Sequence, residues 1–413
     1  MAAITHSTDY GIAPSELTPS DTVYLYHFFI IETVNLMRKK LFKWHSYFAL
    51  IAMLPLIIIC ITGSILVFKV EIDTVLMPNK MQVNVLPNSP RLPLDDLISN
   101  IKSQFPNYEV GTWEIFDDIS NNQARTDTAY IIRHQDNIWK KVYINQYTGN
   151  TLSEPVNLDH DLTDWLLDLH YQLLLATKGA FVGFVIALIF LFLAISGLIL
   201  YRQFWLKFLT LRLGKAKQIF FSDLHKMIGI ASSPVLLILA FTGAYWNASV
   251  VIHEVSEHII EEPVIMNAPF HNQKLSIEKL KNNTSQLISS FKPTYLVLPF
   301  EPNLDITFYG VVDSLNPLHS EYGSLVSFDK HSGIVNMSQD IRQTDALTVT
   351  LDSFRKLHFG YFAGLPSKVI WCILGLSPVF LSITGFYLYW QRNRRKNKAK
   401  SNRKAKSNLA LNT

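Results

Sequence analysis

The chain has 413 residues, is 49% hydrophobic and only 17% charged, and carries a formal net charge of +4. Its apolar residues are bunched into runs long enough to cross a bilayer, which excludes an ordinary soluble domain. It contains no Gly-x-Gly-x-x-Gly and no Gly-x-x-x-x-Gly-Lys-[Ser/Thr], so it has no usual nicotinamide, flavin or nucleotide-binding loop.

In chain order, residues 1–36 form an N-terminal extension without the basic start and cleavage site of a signal peptide. YLYHFFII (24–31) is too short to span, Met37 looks like a natural start, and His6 and His27 take no role. Residues 37–70 hold the first span, with His45, Pro55 and Thr62-Gly63. Residues 71–160 read as a helix (92–106) followed by antiparallel strands, with a turn at NQYTGNTL (145–152). Residues 161–201 are a short helix carrying His170, a glycine break at Gly179 and the second span with Ser196-Gly197. A basic loop, 202–223, leads to the third span, 224–250, with His225, Pro234 and Thr242-Gly243. Residues 251–350 repeat the helix-plus-sheet order, with DKHSGIVN at the equivalent turn. Residues 351–390 repeat the short helix, now with His358 before Gly360, Gly364 and Pro366, and add the fourth span with Thr384-Gly385. A basic tail, 391–413, ends the chain. The expected fold is an α-helical membrane protein: four transmembrane helices as two tandem repeats, with two external α+β modules.

Charge sets the orientation. Segments 37–44, 201–222 and 391–413 hold four, five and nine Lys or Arg and no acid. Segments 71–178 and 251–366 hold 15 and 13 acids against 8 bases each. The positive-inside rule places the basic segments and both termini in the cytoplasm and the two modules outside. The basic tail reads as topology and solvation, not nucleic-acid binding.

The histidines carry the chemistry. His45 to Thr62 and His225 to Thr242 are both 17 residues; His170 to Ser196 and His358 to Thr384 are both 26. That alternation puts His45 and His225 at the inner membrane face and His170 and His358 at the outer. Ionisable groups at membrane depth are costly and mark function. An imidazole pair on facing helices can hold a haem iron from both sides and suits electron transfer. Without a Cys-x-x-Cys-His, such a haem is not covalently attached. Gly63, Gly197, Gly243 and Gly385 suit close helix packing or the approach of a flat cofactor. His253 and His258, after the third span, are second choices as outer ligands. The spans carry no Asp or Glu for a proton relay and no other metal-ligand spacing.

At these residues the sequence resembles the PepSY-associated transmembrane family, iron-uptake-linked membrane proteins that include siderophore reductases. The resemblance rests on KWHSYFALIAMLPLIIICITGSILVFKVEID (43–73), VYINQYTGNTL (142–152), LLDLHYQLL (166–174), DLHKMIGI and AFTGAYWN (223–247), and LHFGYFAGL (357–365). It implies two haems b on His45, His225, His170 and His358, PepSY-like external modules, a bacterial inner-membrane location, and electron delivery to ferric siderophores. The turn DKHSGIV departs from the family pattern. The aromatic residues Trp165, Tyr171, Phe359 and Tyr361, beside the outer histidines, are candidates for a substrate cleft or for an interfacial aromatic belt. With no nicotinamide or flavin loop, electrons must come from quinol or a partner reductase. The alternatives are a haem-free siderophore permease or protease regulator, and a haem carrier serving another periplasmic acceptor.

Overall fold

The computed structural model describes residues 19–85, 89–117, 119–120, 122–201, 210–213, 216–256 and 264–411. His6, His258 and much of the basic loop 202–223 lie outside these residues. The chain divides into two compact units. One comprises Met1–Met53, Ile189–Ser233 and Phe380–Thr413; the other comprises Leu54–Leu188 and Pro234–Val379.

The helices are α1 (Pro19–Leu66), α2 (Lys69–Leu76), α3 (Pro78–Met81), α4 (Leu94–Gln104), α5 (Leu162–Gln172), α6 (Ala176–Leu200), α7 (Lys217–Val255), α8 (Ile277–Leu287), α9 (Ala346–Phe359), α10 (Gly364–Gly375) and α11 (Ser377–Leu411). Stretches within Glu32–Leu66, Ala176–Leu200, Lys217–Val255 and Gly364–Arg403 are long and apolar enough to cross a membrane. They are apolar all round: Ile51 and Leu54 are each 64% exposed and Ile373 63%, surfaces made for lipid.

Three features of these helices were not expected. No Gly or Pro interrupts residues 20–54, so the helix of the first span runs back to Pro19, through the region read as a loose extension. For the same reason α11 continues through the basic tail to Leu411. The fourth span is two helices, divided at Leu376, because Gly375 weakens the end of one and Pro378 can only start the next. In α7, Pro234 removes the partner of the Ile230 carbonyl, and the Ser233 hydroxyl donates to that oxygen instead at 2.9 Å.

The strands are β1 (Gln82–Asn84), β2 (Tyr108–Glu114), β3 (Ile119–Ser120), β4 (Gln123–Arg125), β5 (Asp127–Arg133), β6 (Trp139–Ile144), β7 (Val156–Asn157), β8 (Lys292–Val297), β9 (Ile306–Val311), β10 (Ser324–Phe328) and β11 (Val335–Gln339). β1, β4 and β3 make a small sheet. The others form one antiparallel sheet in the order β11-β10-β9-β8-β2-β5-β6-β7. The two expected sheets are thus joined, through Thr112↔Val297, Trp113↔Leu296 and Glu114↔Tyr295.

Period-two alternation gives this sheet two unlike faces. Trp113, Ile131, Leu296, Phe308 and Phe328 point to one face, where Leu94, Leu97 and Ile101 of α4 and Ile277 and Leu280 of α8 cover them in a single core. Burying each of these larger side chains is worth roughly 1.5–3 kcal/mol. The opposite face carries Thr112, Tyr130, Trp139, Lys141, Tyr143, Tyr295 and Tyr309.

α4 and α8 cap each other. Asp95 of α4 accepts from Ser276 Oγ (2.5 Å), Ile277 N (2.6 Å) and Glu278 N (3.3 Å) at the start of α8. Glu278 in turn accepts from Leu94 N at 3.0 Å, at the start of α4. Each carboxylate satisfies amides that its neighbour's first turn cannot. The two hairpin turns also match. Asn145 and Asp329 each accept from the amides two and three residues on, and each turn closes on a left-handed glycine, Gly149 (φ 77°) or Gly333 (φ 72°). DKHSG therefore builds the same turn as NQYTG, because the first and fifth positions shape it and the hydroxyl at the fourth, Thr148 or Ser332, accepts from the amide two residues on in both.

Asp95→Ala removes three hydrogen bonds and should destabilise the sheet domain by about 1–2 kcal/mol. Urea unfolding followed through the fluorescence of buried Trp113 measures this, and Asp95→Asn should recover part of the loss.

Candidate functional site

Four histidines meet in two pairs, one in each compact unit. His170 and His358 lie on α5 and α9, each near its helix's end. After α5, Leu173, Leu174 and Ala176 take left-handed backbone (φ 53°, 59° and 51°), a conformation that costs about 1–3 kcal/mol at each non-glycine position. α9 ends at Gly360 (φ 73°), where an added Cβ would lie 2.5 Å from the Trp371 ring. These breaks stop each short helix just beyond its histidine. The two imidazole rings stand 6.3 Å apart between centroids.

Each ring is held through Nδ1. His170 Nδ1–H donates to the Ile59 carbonyl at 2.9 Å and lies 3.2 Å from Thr62 Oγ1. His358 Nδ1 lies 2.7 Å from Thr242 Oγ1. Both threonine hydroxyls give their one proton to a carbonyl of their own helix, Ile58 at 2.8 Å and Ile238 at 2.7 Å. Each hydroxyl is then the acceptor for the ring. Nδ1 therefore carries the proton, and Nε2 keeps a free lone pair.

In the other unit, His45 of α1 and His225 of α7 are arranged alike. His45 Nδ1 lies 2.7 Å from Ser196 Oγ on α6, and His225 Nδ1 lies 2.8 Å from Thr384 Oγ1 on α11. Thr384 donates to the Phe380 carbonyl at 2.9 Å. The glycine after each hydroxyl lies against the same ring. A Cβ on Gly63 would lie 2.6 Å from His170 Cε1; on Gly385, 3.5 Å from His225; on Gly197 and Gly243, 3.7 Å from His45 and His358. Ser/Thr-Gly recurs at each ring: the hydroxyl orients the imidazole, and at Gly63 the missing side chain also gives the ring room, whereas at Gly197, Gly243 and Gly385 a Cβ would make only ordinary contact.

A family model for the PepSY-associated TM region matches residues 42–392. The chain belongs to this family. No curated protein matches the chain. Family and apolar helices together make it a membrane protein.

In this PepSY-associated protein, charged networks aim the two short helices. Lys141, buried on β6, pairs with Asp161 (2.6 Å) and Asp164 at the start of α5. Lys69 of α2 reaches Asp164 (2.8 Å), Asp73 (2.8 Å) and Thr163 (2.7 Å). On α9, Asp352 accepts from Ser320, and Lys356 pairs with Glu321 at 2.6 Å. Glu321 also accepts from the Tyr361 hydroxyl at 2.8 Å. Burial opposes the charge on Asp161, but hydrogen bonds from Lys141, His160 and Tyr143 outweigh it and hold the carboxyl below the usual range. Glu321 is likewise lowered, because Lys356 and Tyr361 more than offset its burial.

Of the aromatic candidates, Phe359 packs on His358 (ring centroids 5.7 Å) and Tyr361 on Phe359 (6.3 Å). Trp165 and Tyr171 lie on α5, Trp165 exposed. His253 is exposed on the last turn of α7. Among the described residues no cluster of three or more His, Cys, Asp or Glu could hold a metal ion; the histidines come in twos. The hydroxyl partners were not foreseen. Their one sequence signal is the Ser or Thr that precedes each of the four glycines.

The Asp161 carboxyl has a folded pKa below its unfolded value, so its stabilisation is full above about pH 4 and is lost as pH falls further. The melting temperature of the wild-type protein should therefore drop more steeply between pH 5 and pH 2 than that of Asp161→Asn, followed by circular dichroism. Equal slopes would mean that the Lys141 pair contributes no acid sensitivity.

Proposed function

We propose that the protein carries electrons across the bacterial inner membrane on two haems b and delivers them to ferric siderophores, or other ferric chelates, on the periplasmic side. The observation that carries this reading is the state of the histidines. All four have Nδ1 engaged by a hydroxyl, which leaves the Nε2 lone pair as the one that would bind a haem iron. The spacing of His170 and His358 suits a shared metal: with about 2 Å from metal to each nitrogen, two ligating rings stand roughly 6 Å apart. The glycines leave bare helix surface beside each ring.

In this reading His45 and His225 hold one haem and His170 and His358 the other. When bound there, haem would supply one-electron transfer. The hydroxyls and the Ile59 carbonyl keep each ring in the ligating tautomer. The apolar spans exclude water, and the αL breaks keep His170 and His358 at the edge of their helices. The matched offsets, reciprocal caps and matched turns support two tandem copies of one plan, with the helix-plus-sheet modules outside and both termini in the cytoplasm. Electrons enter from quinol or a partner reductase.

Haem stoichiometry on purified single variants tests the ligands. His45→Ala or His225→Ala should lose one haem per chain, and His170→Ala or His358→Ala the other. Four variants that each keep two haems would refute the assignment.

Topology is tested separately. Reporter fusions after Thr210 and after Asn316 should read cytoplasmic and periplasmic respectively. A cytoplasmic signal at Asn316 would reverse the direction of electron delivery.

A further inference from the structure

The sheet face opposite the core bears an open groove of about 480 Å³, within the usual size of small-molecule clefts. Its lining is dominated by five rings, those of Tyr130, Trp139, Tyr295, Phe300 and Tyr309, and no lining residue is charged. Trp139 stands edge-on to Phe300 at 5.1 Å, and Tyr295 is tilted against Tyr309 at 6.5 Å. Gly111 lets the Trp139 ring lie against the strand, since a Cβ there would be 2.6 Å from it. Leu158, also in the lining, is 43% exposed. Such walls offer ring faces to a flat ligand.

The charges nearby face one another and do not line the groove. Glu114 stands 3.9 Å from Arg125, and Glu321 stands 2.6 Å from Lys356 and 3.8 Å from Arg355. A charged ligand would therefore give up water and meet no opposite charge in the lining, whereas an uncharged ring has no such cost. The polar atoms of the lining are mostly donors. The Tyr130 hydroxyl is directed at the Glu114 carboxylate at 3.5 Å. Among the described residues nothing accepts from Trp139 Nε1–H or from the Tyr309 hydroxyl. Burial alone raises the pKa of that hydroxyl above its ordinary value, as for a phenol without a hydrogen-bond partner. An indole N–H and a phenol O–H left in this state are complementary to a carbonyl oxygen.

We propose that this groove binds a quinone: a flat, uncharged ring seated among Trp139, Tyr295 and Tyr309, with a carbonyl oxygen accepting from Trp139 or Tyr309. Tyr322 lies 5.4 Å from Tyr295 and 5.7 Å from Tyr309, and the Arg355 guanidinium links it to Phe359, which packs on His358. Any exchange of electrons with the outer histidine pair along that run rests on the electron-carrier reading. Binding needs no haem and rests on the groove's own residues.

The test is titration calorimetry on the full-length protein with two probes that share a ring system, hydroxymethylanthraquinone, which is uncharged, and anthraquinone sulfonate, which carries one negative charge. Wild type should bind the uncharged probe, and the sulfonate at least tenfold more weakly. Trp139→Ala should weaken binding of the uncharged probe at least tenfold, and Tyr309→Phe, which removes only the hydroxyl, at least threefold. Leu158→Asp puts a charge on a part-exposed side chain, where folding is little affected, and should weaken it at least tenfold. No binding by wild type, equal affinity for the two probes, or wild-type affinity in both Trp139→Ala and Leu158→Asp overturns the proposal, whether or not the protein holds haem.

Discussion

An imidazole inside an apolar helix bundle must have its N–H satisfied, at a cost of about 1–3 kcal/mol if it is not. In this protein a hydroxyl one helix away, its own proton already given to a backbone carbonyl, meets that requirement for His45, His225 and His358, and for His170 the Ile59 carbonyl meets it with the Thr62 hydroxyl beside it. The bond does more than satisfy a donor. It fixes which nitrogen holds the proton, and so which nitrogen is left to bind. At Gly63 the missing side chain makes the approach possible. Helix identity, ring orientation and ligand chemistry are thus set by a two-residue motif and one histidine.

The sheet domain extends the same economy. Its apolar face makes one core with α4 and α8, and their mutual caps hold those two helices in register. Its other face anchors α5 through Lys141, while the loop before β10 anchors α9 through Ser320 and Glu321. The helix that carries His170 is therefore positioned by a buried ion pair, and the one that carries His358 by a half-buried pair. Breaking such a pair from one side is strongly destabilising, whereas the intact pair contributes mainly specificity of position.

Much of this was legible because the signals were local. Spans follow from apolar length, helix breaks from glycine and proline, and the paired histidines from equal offsets. The 26-residue offset is longer than the 17-residue one because an extra turn, at Leu173–Ala176 or Gly360–Gly364, separates histidine from span. What was not legible depends on distant chain. Ser196 reveals its role only when α6 meets α1, and the joining of β2 to β8 pairs residues far apart in sequence. The second turn was read as equivalent to the first but as departing from the family pattern; Asp329, Ser332 and Gly333 carry the same geometry. The helical start at Pro19 was missed because residues 1–36 were read only for a signal peptide and for a span, not for the absence of any breaker.

The central claim is that each of two metal centres is held by two imidazoles and by nothing else. Electron paramagnetic resonance of the oxidised, purified protein at low temperature examines it directly. The account requires two low-spin ferric haem signals per chain, of the kind that two nitrogen ligands impose, and no high-spin component. A high-spin signal would mean a missing axial ligand, and the lack of any haem signal in protein made with ample haem would contradict the account altogether.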